Sequence, residues 1–140
     1  RRRNGDWRIN MHDAATMYVE KVKVESAYAG QVYWFDVRKY DLASVQLGFV
    51  KDITAVIELV YANRPNKLFA TLFSPTRELG PTTSPTTSDT ERDIDVTDVA
   101  YLGARIKTAG ASSELVDLLF YATSVNGTGL VEQQVPILEG

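Results

Sequence analysis

Cysteine is absent from the chain's 140 residues, which removes disulfides, thiol nucleophiles and cysteine-based zinc or iron–sulfur sites together. Histidine is nearly absent: His12 is the only one, so a multi-histidine metal site within one chain is excluded. His12-Asp13 could pair a base with its orienting acid, but no nucleophile signature such as G-x-S-x-G accompanies it. Phosphate-loop patterns, G-x-x-x-x-G-K-[ST] and G-x-G-x-x-G after a strand, are missing as well. No apolar run approaches the ~18 residues of a helical membrane span, and no signal-peptide pattern is visible. An excess of positive charge is also lacking. The net charge of −3 argues against a protein whose whole surface binds nucleic acid or anionic membrane. No cofactor is expected, and no catalytic residue is assigned. The chain begins at Arg1 rather than Met, which reads as a processed product or a fragment.

What is present is an ordinary globular composition, 44% hydrophobic and 24% charged, and a length that predicts one domain over residues 1–140. Its centre is residues 51–77, where the apolar runs Ile53–Tyr61 and Leu68–Phe73 flank the polar link Ala62-Asn63-Arg64-Pro65-Asn66-Lys67. Ile53, Ala55, Ile57, Leu59 and Tyr61 alternate with Thr54, Val56, Glu58 and Val60, the period of a strand. The Asn/Pro/Asn link then predicts a long hairpin loop.

Other segments repeat the pattern. Trp7, Ile9 and Met11 alternate in a short strand. Residues 16–40 read as a second hairpin. Its first arm changes parity between Met17/Val19 and Val22/Val24, which predicts a bulge near Glu20-Lys21. Ala43–Val50 is a further strand. Segments 112–124 and 130–138 flank Asn126-Gly127, a strong hairpin signal, and Pro136 belongs on an edge or near a strand end. One helix is predicted over Val99–Gly110, with Thr97 as its cap and Val99, Leu102 and Ile106 on one face.

The predicted architecture is therefore mainly β: an antiparallel β-sandwich or partly open barrel with one short helix. If 42–61 and 112–124 were helices, the class would be α+β. A basic arm, residues 1–5, precedes the fold, and a long Pro/Thr-rich loop, residues 74–89, interrupts it.

Three constellations suggest function. Arg1, Arg2 and Arg3 could reach a neighbouring subunit or a phosphate backbone. Tyr33 and Trp34, with Tyr28 and Phe35 nearby, could form a stacking face for carbohydrate or peptide. The acidic run Asp89, Glu91, Asp93 and Asp95 could converge on calcium, although it fails the EF-hand pattern, and Asp93 with Asp95 could form an acid/base pair.

The leading expectation is a non-enzymatic structural or assembly subunit of a particle, filament or virion. It would contact copies of itself or other assembly proteins through the arm, the long loop and strand edges. The alternatives are a carbohydrate- or peptide-binding β-module using residues 28–40, and an acid/base enzyme using Asp93 and Asp95.

Overall fold

Alternation prevails over helix signals throughout the computed structural model, which describes residues 12–83 and 89–140. Among the described residues there are eleven strands and no helix of seven residues or more. The strands are β1 (Ala14–Lys23), β2 (Val32–Asp36), β3 (Leu42–Phe49), β4 (Val56–Ala62), β5 (Thr71–Leu72), β6 (Glu78–Leu79), β7 (Asp89–Asp95), β8 (Tyr101–Thr108), β9 (Leu115–Thr123), β10 (Val131–Gln133) and β11 (Ile137–Glu139). They form two sheets packed face to face, a β-sandwich. The first sheet has the order β10-β1-β9-β3-β7; the second runs β11-β2-β8-β4, with β5 and β6 both paired to β4.

The core follows from the inward parity of each strand. Met17, Val22, Val45, Leu47, Leu118 and Phe120 of the first sheet meet Phe35, Ile57, Leu59, Leu102 and Ile106 of the second. The rings of Phe35 and Phe120 lie 5.5 Å apart between centroids, tilted at 43°. Each such side chain removed from water contributes about 1.5–3 kcal/mol.

The predicted helix at 99–110 is instead β8, a strand flanked by β2 and β4. Leu102, Ala104 and Ile106 face the core, while Gly103 lies against Trp34, whose ring a Cβ there would meet at 2.8 Å. The supposed cap residue Thr97 belongs to a turn, its N–H and hydroxyl donating to the Asp95 carboxylate. Helical spacing of three apolar residues was coincidental; burial on both faces needs the strand. The helical alternatives at 42–61 and 112–124 are likewise strands, β3, β4 and β9.

The predicted bulge is present. The β1–β9 register shifts between Val19 and Val22, and Lys21 takes a left-handed φ of 55°. The Asp117 carboxylate accepts the Lys21 N–H and the Tyr18 hydroxyl, so the extra residue leaves no orphan donor there.

Strand pairing differs from the sequence reading. Residues 16–40 are not a hairpin, because β1 and β2 lie in different sheets. The central hairpin survives only as a short contact, Val60 with Leu72 and Tyr61 with Thr71. Leu68 and Phe69 belong to a 3-10 turn, Lys67–Phe69, begun by the Asn66 side chain accepting from Leu68 N–H. The two arms flanking Asn126-Gly127 do not pair with each other: β1 is inserted between β9 and β10. Pro136 does sit where its missing N–H costs nothing, at the crossing from β10 in one sheet to β11 in the other. Within the predicted loop at 74–89, Glu78 and Leu79 pair with β4, and Leu79 is fully buried.

Candidate interaction surface

Three devices use polar groups to hold the fold, and together they occupy side chains that chemistry would otherwise need. The first is at the start of β1. Asp13 accepts hydrogen bonds from the N–H groups of Thr128 (2.9 Å) and Leu130 (3.0 Å). These bonds hold its carboxyl below the usual carboxylate range. Gly127 fits because a Cβ would lie 2.5 Å from the Asp13 carboxyl carbon. Ser124 N–H donates to the Asp13 carbonyl, Asp13 N–H donates to Ser124 Oγ, and His12 Nδ1 lies 2.6 Å from the Ser124 carbonyl. His12 and Asp13 therefore clasp the 124–130 loop rather than each other.

The second device is Glu114. Its buried carboxylate accepts from the N–H groups of Thr54, Ala55 and Ala111 and from the Thr54 hydroxyl. Burial pushes its pKa up, but these donors outweigh that and hold it below the ordinary value. The third is at the sheet crossing. The Gln134 amide accepts from Asp36 N–H at 2.9 Å and donates to Asp36 C=O at 2.7 Å, standing in for a ladder bond. A cleft of about 570 Å³ opens there, lined by Asp36, Arg38, Tyr40, Glu132 and Gln134. Its polar groups are paired internally, Arg38 with Asp36 and Tyr40 Oη with Glu132 at 2.6 Å. Arg38 keeps the Asp36 carboxyl below its ordinary range.

The predicted site residues scatter. Arg1, Arg2 and Arg3 lie outside the described residues, as does the strand expected around Trp7. Tyr33 and Trp34 point to opposite faces of β2. Tyr33 packs half-buried against the main core, and Trp34 is 0% exposed on the outer face of the second sheet. Phe35 is in the core. The stacking face is thus dispersed, because consecutive strand residues cannot share a side.

The acidic run does not converge either: among the described residues no group of three or more His, Asp or Glu is placed to hold a metal ion. A bulge at Arg92-Asp93 offsets β7 against β3, with Asp93 at a φ of 53°. Asp89 accepts from Gly80 N–H and Glu91 pairs with Arg77 at 3.5 Å. Asp93 lines a depression beside Leu42 and Tyr121, whereas Asp95 lines another beside Tyr61 and Phe73. An acid/base pair has no common cleft.

What the fold does present is the outer face of the first sheet. Tyr18 is 56% exposed, Tyr121 43% and Leu119 39%, with Leu42 and Val131 also open. The register lays Tyr18 beside Leu119 and Gln46, and Thr16 beside Tyr121 and Ser44. Asp117 stands at one end of this strip, its carboxylate accepting the Tyr18 hydroxyl, and Leu119, Tyr121, Thr16 and Ser44 beyond it carry no charge. The sequence reading missed it, yet a signal was there: in β9 apolar residues occupy both parities, Val116, Leu118, Phe120 and Ala122 inward, Leu115, Leu119 and Tyr121 outward.

No family model matches the chain, and no curated protein searched matches it. Among solved structures, the fold is similar to that of SPBc2 prophage-derived protein YomS. The two are 9% identical with a TM-score of 0.50, the match covering 79% of this chain and 95% of that one. At that identity the likeness concerns the fold. Among the described residues no helix is long and apolar enough to cross a membrane.

Proposed function

We propose that the chain is a non-enzymatic structural subunit of a larger assembly, of the kind built in phage particles, and that it acts through contact surfaces. The observation that carries this reading is the open strip Tyr18–Leu119–Tyr121, with the Asp117 carboxylate at its end held by the Tyr18 hydroxyl, on a sheet whose partner sheet has the centre of its outer face covered. Tyrosine and leucine exposed together are characteristic of surfaces that meet another protein. The fold likeness to a prophage-derived protein supports the phage setting, although one fold serves many functions. The engagement of Asp13, Glu114, Asp95 and His12 with backbone groups supports a role without catalysis.

Quantitative mass spectrometry and antibody labelling of particles purified from the native source test this. The chain should be recovered at a fixed stoichiometry with particle proteins. Recovery only as free protein, with none in assembled material, would overturn the reading.

A further inference from the structure

We infer that the outer face of the first sheet is a self-association surface, pairing with the same face of a second copy of this chain. The inference rests on the proposed structural role and specifies the contact that role would use. The strip is a sheet face rather than an edge. Edge pairing through β7 is obstructed, since Arg77 donates to the carbonyls of Arg92 and Asp93 at 3.0 and 3.5 Å and β7 is bulged beside them. A flat face therefore has to be met by another flat face.

Size supports a second copy. Four strands about 4.8 Å apart over the rise from Asp117 to Thr123, with the three residues of β10 beside them, make a face of roughly 450–500 Å². Two copies would then bury roughly 900–1,000 Å², the size of a weak, reversible contact rather than a permanent one.

Chemistry supports it too. The central residues Thr16, Ser44 and Tyr121 offer hydroxyls that both donate and accept, beside the apolar side chain of Leu119, while the Tyr18 hydroxyl is donated to Asp117. Such a surface is complementary to itself, as a two-fold contact requires. It has no central lysine or arginine for nucleic acid, whose affinity comes from phosphate neutralisation. Charges stand towards the ends, Glu20, Lys23 and the Asp117 carboxylate that holds the Tyr18 hydroxyl at one end and Arg92 and Asp93 at the other. Face-to-face packing of sheets is also how the two sheets of one chain already meet.

The test uses the full chain. Sedimentation equilibrium from low to high micromolar concentration should show a reversible dimer. Leu119→Glu/Tyr121→Glu, which sets like charges against each other across the two-fold, should weaken it at least tenfold with an unchanged far-ultraviolet spectrum. Val135→Glu, on the exposed segment between β10 and β11, should leave dimerisation intact. Because the chain has no cysteine, Ser44→Cys and Thr16→Cys should each be joined to a second copy by a short bis-maleimide whose spacer matches the ~10 Å between facing sheets, a span too long for a direct disulfide, and Val135→Cys should not. This second readout does not depend on the charged variant folding. A wild-type chain that stays monomeric, or cross-links from Val135→Cys as readily as from the strip, overturns the inference. A monomer still found at fixed stoichiometry in particles would end the self-pairing and leave the structural role standing. A dimer through this face that never enters particles would do the reverse.

Discussion

The outer faces of the two sheets are built from similar residues and treated in opposite ways. On the second sheet, Val32, Trp34, Val60 and Ala62 form a buried cluster with Ala70 and Tyr101 against it. The chain covers the centre of this face with its own segments, while Leu72 and Ile137 at its margins stay exposed. Glu139 takes the Trp34 indole N–H at 3.2 Å and the Lys67 N–H with the same oxygen, and Lys67 Nζ reaches the carbonyl of Gly140. The half-buried pair Arg105–Glu58, 2.8 Å apart, continues the cover along β8 and β4. On the first sheet, Tyr18, Leu119 and Tyr121 have no such lid among the described residues. Apolar side chains on a strand's outer parity thus mean two different things: stability where the chain folds back over them, and contact where it does not.

The largest effect expected is at the covered face. Trp34→Ala removes a fully buried ring seated between Gly103 and the C-terminal strand, and should cost about 3–5 kcal/mol in urea unfolding. A loss below ~1 kcal/mol, the range of exposed substitutions, would mean that the two faces are energetically alike and that the comparison fails.

Glu114 comes next, and it concerns neither face alone. It ties the link between β3 and β4 to the link between β8 and β9, both of which carry the chain between sheets. Glu114→Ala strands buried N–H donors and should cost about 2–3 kcal/mol. Its pH dependence has a definite sign. The folded pKa is below the ordinary value of 4.5, so the stabilisation is complete above that value and is lost as pH falls through the folded pKa. Unfolding midpoints measured from neutral to acid pH should therefore fall less steeply in the variant. Parallel curves for wild type and variant would rule Glu114 out as the source.

Much of this architecture was legible in the sequence, because alternation is a local property. The parity change between Val19 and Val22 identified a bulge that Asp117, nearly a hundred residues away, then stabilises. Pairing was not legible. Asn126-Gly127 has the chemistry of a hairpin turn, but Asp13 binds the loop from across the sheet and β1 lies between the arms. Val99, Leu102 and Ile106 suited a helix until Gly103 met Trp34, a contact between distant strands. The candidate sites failed for the same reason. Neighbours such as Tyr33 and Trp34 look like a cluster in the chain and lie on opposite sides of a sheet. The strip that replaces them joins residues of β1, β3 and β9.

The smallest expected effect is the most discriminating. Leu119→Ser/Tyr121→Ser removes two large apolar side chains, as many buried-core variants do, from the centre of the uncovered face. In the isolated monomer Leu119 is 39% and Tyr121 43% exposed, so their truncation loses partial burial and cross-strand contact with Tyr18 and Thr16 but opens no cavity. The change in unfolding free energy at dilute concentration should be about 1 kcal/mol, well below the Trp34 and Glu114 variants. At high concentration the wild type should gain stability that the variant lacks, because association favours the folded state by mass action. Denaturation curves at two protein concentrations measure both quantities. A large loss at dilute concentration would show that this face is covered by the chain itself, and the contrast between the two sheets would disappear.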